Sequence, residues 1–94
     1  MLIINREDAQ NIVDHSIEEV QKLVAIEECS ELIKAITKAE RGNLNKRKIA
    51  EEIGDVLICI KQLQVMYDIP DEHLQEIIDY KVKRTLLYLR RSEQ

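Results

Sequence analysis

The segment SIEEVQKLVAIEECSELIKAITKAER, residues 16–41, decides the fold class of this chain. Its apolar residues recur every three to four positions, which is the period of an α-helix. At about 100° per residue, Val20 and Val24 lie on one side of this helix, and Ile26 and Ile33 lie on the other. A helix that is apolar on two sides needs a packing partner on each of them. The segment therefore predicts an all-α protein in which this helix packs between others.

Sparse turn signals divide the rest of the chain into further helices. Gly42 is typical of the residue after a helix C-terminus, and Pro70 suits the first turn of a new helix. Ser16 and Glu19 have the spacing of a capping box, and Asn45 is a suitable N-cap. The predicted helices cover residues 6–14, 16–41, 45–68 and 71–91. Because the connections are short, we expect an antiparallel helical bundle.

The composition supports one small helical domain over residues 1–94. With 45% hydrophobic and 34% charged residues, two Gly, one Pro and no Phe or Trp, the chain is a poor candidate for a β-sandwich or barrel. Its helices carry more apolar surface than one chain can cover, so we expect the bundle to be completed in a homodimer or homotetramer. A net charge of −4 argues against a nucleic acid polymer as the main partner.

The expected location is the cytoplasm. Two cysteines are too few for a disulfide framework or a cysteine-based zinc site, which fits a reducing compartment. The N-terminus lacks the basic and apolar regions of a signal peptide. The longest apolar run, residues 56–60, is far too short to cross a membrane, so we expect no membrane partner.

Two groups of carboxylates interrupt the apolar pattern. Glu27, Glu28 and Glu31 occupy an arc of about 100° that continues an apolar stripe, although such a run taken alone is typical of a solvated helix face. Glu52 and Asp55 are three residues apart and share a face of the next helix. Carboxylates that face a core stay ionised only beside a cation. Oxygen ligands in this number favour Mg²⁺, or Mn²⁺, over zinc.

A glycine and three basic residues add to this pattern. Gly54 costs a helix about 1 kcal/mol relative to alanine, which a closely packed neighbour or a bound group would explain. Lys81 lies within the apolar stripe of the last helix with Arg84 at its edge, and Lys48 faces Glu52 one turn away. Simpler interpretations are a snorkelling Lys81 and an ordinary Lys48–Glu52 ion pair. Carboxylates, a divalent metal and converging lysines suit a polyphosphate substrate.

The ordered set Glu27-Glu28-x-x-Glu31, Glu52-x-x-Asp55 and a downstream Lys81 resembles the MazG-like all-α nucleoside triphosphate pyrophosphohydrolases. The resemblance spans about residues 16–84. It implies Mg²⁺-dependent cleavage of a (d)NTP between its α- and β-phosphates to give (d)NMP and pyrophosphate, in the manner of enzymes that clean the nucleotide pool. It also implies dimers or tetramers whose four-helix core comes from more than one chain.

The resemblance also implies roles for individual residues. The metal ligands would be Glu28, Glu31, Glu52 and Asp55. The supporting or water-positioning groups would be Glu27 and Glu51. The phosphate contacts would be Lys48 and Lys81, while Arg84 stands one residue before the position at which family members often carry a further basic or amide group.

The alternatives fall in two classes. Related all-α enzymes that act on dUTP or on phosphoribosyl-ATP carry similar carboxylate patterns. The other class is a non-enzymatic, acidic helical interaction module, whose stability would not depend on Mg²⁺. The sequence does not identify a nucleobase, because only Tyr67, Tyr80 and Tyr88 could stack on one.

Overall fold

The computed structural model describes residues 4–93, and these residues form four α-helices and no strand. The helices are α1 (Arg6–Asp14), α2 (Glu18–Glu40), α3 (Lys46–Met66) and α4 (Asp71–Ser92). The all-α prediction is confirmed, and the predicted boundaries differ from these by no more than two residues. None of the described helices combines the length and the apolar character that a membrane crossing requires.

The ends of α2 and α3 follow the local sequence signals. The Asn45 side chain accepts a hydrogen bond from the backbone N–H of Lys48 at 3.0 Å, so Asn45 caps α3 as predicted. Gly42 has a φ of +97°, a left-handed conformation that glycine adopts without strain. The next backbone N–H, that of Asn43, reaches back to the Lys38 carbonyl at 2.9 Å and closes the end of α2.

The predicted capping box at the start of α2 is wrong. The Ser16 hydroxyl donates to the carbonyl of Ile12, so it serves the end of α1. Ile17 is the N-cap residue of α2, and its side chain makes no capping hydrogen bond. A serine between two successive helices can hydrogen-bond to the end of the first or to the start of the second. Here its hydroxyl donates to the first.

The helices α2 and α3 form an antiparallel hairpin, and α1 packs against α3. The hairpin closes over small side chains, since Ala25, Ala35 and Cys59 are buried in it. No large side chain among the described residues is completely buried. Small residues let the two helix backbones approach closely, but they bury little apolar area.

The face of α3 that meets α2 is not the one that carries its apolar stripe. Ile53, Ile60 and Tyr67 recur at helical spacing along that stripe, and they are exposed. The buried face instead carries Glu52 and Cys59. Both faces of α3 contain apolar residues, so the pattern alone does not determine which face meets the partner helix.

Helix α4 extends away from the rest of the chain. Beyond its first turn its residues are exposed, and Leu74 alone in this helix is half-buried. The radius of gyration is 16.3 Å, whereas a compact domain of 100 residues has about 13 Å. The inward stripe predicted for α4, with Lys81 at its centre, is therefore not covered by the described part of this chain.

Candidate functional site

Three carboxylates meet in the α2–α3 hairpin. Glu28 comes from α2, and Glu52 and Asp55 come from successive turns of α3. One oxygen of each lies within 4.8 Å of the others. The spacing of these residues, together with the antiparallel hairpin, produces this arrangement. We call these three residues the carboxylate group.

Glu52 is the buried member of the carboxylate group. It is only 5% exposed, and its Oε1 accepts a hydrogen bond from the Lys48 ammonium at 2.8 Å. Its Oε2 is buried without any hydrogen-bond partner. A buried carboxylate oxygen without a partner loses hydration and gains nothing in return. A cation beside Oε2 would supply the missing interaction.

The electrostatics of the group have the signature of crowded negative charge. Burial raises the pKa of Glu28, and the neighbouring charges of Asp55 and Glu52 raise it further. The nearby Glu52 carboxylate raises the pKa of Lys48, so this lysine stays protonated. The group attracts positive charge, and Lys48 supplies only part of it.

The remaining predicted acidic residues surround the group. Glu31 is exposed, and its charge contributes to the raised pKa values of both Glu28 and Lys48. Glu27 is exposed on the flank of α2, where its carbonyl accepts a hydrogen bond from the Ser30 hydroxyl at 2.7 Å. Glu51 is exposed and pairs with Arg47 at 3.3 Å. Glu31 therefore lies beside the group, whereas Glu27 and Glu51 face solvent.

Two of the predicted phosphate contacts are not brought to the carboxylates by this chain. Lys81 and Arg84 are exposed on α4, and Arg84 lies 5.7 Å from the ring centroid of Tyr80. The reason is that α4 turns away from the hairpin after its first turn.

Gly54 also differs from expectation, because a Cβ at this position would meet no atom within 4 Å. Close packing within the described chain does not explain this glycine.

Sequence reasoning missed the environment beside the carboxylates. Cys59 is buried near Glu28, and burial, with the Glu28 charge as a smaller cause, raises the pKa of its thiol. A protonated thiol is a poor ligand for a hard cation, so Cys59 serves as apolar packing. The cavity at the α2–α3 turn is lined by Lys34 and Lys38, which the sequence analysis did not single out. The available signal was their spacing of three and seven residues from Glu31, which puts them on its side of α2.

The carboxylate group fits a hard divalent cation. Its donors are all oxygen atoms, which Mg²⁺ and Mn²⁺ prefer. The buried, unpartnered Oε2 of Glu52 is the observation that favours a cation at this place over a mere surface cluster. Glu31 is close enough for its charge to raise the pKa of Glu28, but it is not one of the three residues whose oxygens lie within 4.8 Å of one another.

A hairpin of two helices with carboxylates projecting into their interface defines an all-α protein with a carboxylate cluster that could hold a metal ion. Over residues 15–68 the chain matches the MazG nucleotide pyrophosphohydrolase domain, and it belongs to this family. The match includes all of α2 and α3 and ends before α4. Comparisons with curated proteins and with solved structures gave no significant match. The family resemblance seen in the sequence is thereby confirmed.

Proposed function

We infer that this protein is a Mg²⁺-dependent nucleoside triphosphate pyrophosphohydrolase that converts a (d)NTP to the (d)NMP and pyrophosphate. The observation that carries the proposal is the carboxylate group with the orphaned Oε2 of Glu52. The chain's membership of a nucleotide pyrophosphohydrolase family supports it. Mn²⁺ is an alternative ion, since the same oxygen ligands accept it.

Each residue then has a defined task. Glu28, Glu52 and Asp55 would hold the ion, with Glu31 as the fourth carboxylate. When bound, the ion would neutralise charge on the phosphate oxygens and polarise the bond to be broken. Glu27 and Glu51 face solvent in the described chain, so their part as supporting or water-positioning groups would need the bound substrate or a second copy to enclose them. Lys48 pairs with Glu52, and it would carry positive charge to the substrate side of the group.

The proposal includes a homodimer or homotetramer. Ile17 at the start of α2, Ile26 and Ile33 on α2 and Leu86 on α4 are all at least 60% exposed. Large exposed apolar side chains on several faces favour burial against a second protein chain. A second copy that covers α4 would also bring Lys81 and Arg84 into an enclosed setting, where they could contact phosphate.

Pyrophosphate release tests the enzymatic part of the proposal. Standard and modified NTPs, dUTP and phosphoribosyl-ATP would be incubated with the protein in Mg²⁺ or in EDTA. We expect Mg²⁺-dependent release with the wild type and with Glu76→Gln, which removes an exposed carboxylate on α4. We expect none with Glu28→Gln. The absence of release from every substrate would favour a non-enzymatic helical module.

Light scattering at micromolar concentration tests the oligomer. A dimer or tetramer is expected, and a monodisperse monomer would remove this part of the proposal. The cytoplasmic location stays a prediction.

A further inference from the structure

A cleft lined by lysines adjoins the carboxylate group at the α2–α3 turn. It consists of two neighbouring cavities of about 210 and 320 Å³ that share Ala35, Lys38 and Lys48. The first cavity is also lined by Glu31 and Lys34, and the second also by Asn43 and Asn45. We call these residues together the lysine cleft.

The lysine cleft has an excess of positive charge. Its three lysines face one carboxylate in the lining, that of Glu31. Lys48 pairs with Glu52, whereas Lys34 and Lys38 take part in no ion pair within residues 4–93. Like charges around one cavity repel one another, and an anion bound among them would relieve this repulsion.

The neutral lining is also suited to an anion. The side-chain oxygen of Asn45 is occupied by the Lys48 backbone N–H, so its amide N–H groups remain as donors. Asn43 supplies a second side-chain amide in the same cavity. Ammonium and amide groups are donors that bind phosphate oxygens, and in this cleft they outnumber the single Glu31 carboxylate.

Lys48 connects the lysine cleft to the carboxylate group. Its Nζ lies 2.8 Å from Oε1 of Glu52 while its side chain lines both cavities. An anion in the cleft could therefore contact the same lysine that contacts Glu52 of the carboxylate group. A substrate with its α-phosphate at the carboxylates could extend its remaining phosphates along the cleft.

We propose that the lysine cleft binds the β- and γ-phosphates of the substrate, with Lys34 and Lys38 as substrate-binding residues. This inference rests on the proposed function. In the reaction, the bond from the water oxygen to the α-phosphorus forms as the bond from that phosphorus to the α–β bridging oxygen breaks. The electron pair stays on the bridging oxygen, so negative charge grows on the departing pyrophosphate. The water gives its proton to a carboxylate, and ammonium groups at the cleft stabilise the developing charge.

The test is calorimetric binding of inorganic pyrophosphate in the presence of Mg²⁺. The cleft variant is Lys34→Gln with Lys38→Gln, and the control is Lys83→Gln with Arg91→Gln, which removes two exposed charges from α4. Because Lys34 and Lys38 are exposed and unpaired in the described chain, we expect the helical content and the Tm of both variants to match the wild type. We expect the Kd of pyrophosphate to rise at least tenfold in the cleft variant and to stay unchanged in the control.

Equal affinities in the wild type and the cleft variant, or no binding by the wild type, would overturn the inference. Hydrolysis measured in parallel separates it from the proposed function. If the wild type cleaves NTPs and the cleft variant does so with an unchanged KM, only the cleft assignment fails. If pyrophosphate binds through the two lysines and no NTP is cleaved, the proposed function fails and the anion-binding cleft stands.

Discussion

Replacing Glu52 by glutamine tests whether the carboxylate group holds a metal ion. The substitution keeps the shape of the side chain, removes one negative charge and puts an N–H₂ group on a side chain whose Oε2 has no partner. Oxygens of Glu28 and Asp55 lie within 4.8 Å and can accept from that group. The penalty of an unsatisfied buried polar atom is about 1–3 kcal/mol. The contact with Lys48 weakens at the same time, because its acceptor becomes neutral.

We therefore expect the metal-free Glu52→Gln variant to be about 1 kcal/mol more stable than the metal-free wild type. The reason is that removing the penalty of the unpartnered Oε2 gains more than the weaker contact with Lys48 loses. For a domain of this size, 1 kcal/mol corresponds to a rise of about 4–8 °C in Tm. In Mg²⁺ we expect the opposite, with the wild type more stable than the variant. At a concentration of 100 times Kd, an ion that binds only the native state stabilises the wild type by about 2.7 kcal/mol. The variant should gain almost nothing.

Thermal unfolding followed by circular dichroism, in EDTA and in excess Mg²⁺, measures both effects. Glu76→Gln, which removes an exposed carboxylate from α4, is the control and should behave as the wild type in both buffers. A wild type whose Tm does not respond to Mg²⁺ would refute the metal site. A Glu52→Gln variant with a full response to Mg²⁺ would refute the part given to Glu52.

The remaining predictions concern four other residues. Asp55→Asn should abolish Mg²⁺-dependent pyrophosphate release and leave the circular dichroism spectrum unchanged; turnover close to the wild type would exclude Asp55 as a ligand. Gly54→Ala should raise the Tm by about 4–8 °C, because alanine favours the helix by about 1 kcal/mol and the new Cβ meets open space; a lower Tm would mean that a second copy packs on this face. Hydrogen bonds from Lys61 and Gln64 lower the pKa of Asp71. The stability that this carboxylate contributes is complete above its unfolded pKa of about 3.9 and is lost as the pH falls through its lower folded value. Acid unfolding of Asp71→Asn should therefore depend less on pH below about 4 than that of the wild type, and identical curves would contradict the assignment. Lys81→Met should change the unfolding free energy by less than about 0.5 kcal/mol, because Lys81 is exposed, and should lower kcat/KM at least tenfold if a second copy brings it to phosphate; unchanged kcat/KM would remove it from the site.

The helices could be predicted because their signals are local. Asn45 caps α3 and Gly42 ends α2 through hydrogen bonds that span three to five positions of the chain. The Ser16 signal failed because the hydroxyl had an equally local competitor, the carbonyl of Ile12. Local signals therefore determine where each helix begins and ends, but they do not resolve two neighbouring helices that compete for one side chain.

The face that each helix buries was harder to predict. The apolar stripe of α3 carries Ile53 and Ile60, but the hairpin closes over Cys59 and the carboxylate of Glu52. Small residues on α2, of which Ala25 is one, allow this close approach. The periodicity of apolar residues indicates how much of a helix surface must be buried. It does not indicate which helix, or which chain, packs against that surface.

Glu28, Glu52 and Asp55 could be selected from the sequence because the spacing of Glu52 and Asp55 puts them on one helix face, and the short α2–α3 connection brings that helix beside the one that carries Glu28. The lysines of the cleft were not recognised, since a lysine on a helix is usually a solvated residue and the one local signal for Lys34 and Lys38 was their spacing from Glu31. Their common feature arises only when the α2–α3 turn brings Lys48 opposite them.

Lys48 lies between the carboxylate group and the lysine cleft and connects them. Without a metal ion, its ammonium is the charged partner of Glu52, so the carboxylate group draws this lysine toward itself and away from the cleft. A cation beside the unpartnered Oε2 of Glu52 would share the negative charge of Glu52 with Lys48 and leave more of the Lys48 charge for an anion beside Lys38. Binding of cation and anion would then favour each other, and by thermodynamic linkage each would raise the affinity for the other by the same factor. The negative carboxylate group and the positive lysine cleft thus lie side by side, with Lys48 between them. This arrangement suits a substrate that arrives as a metal–polyphosphate complex.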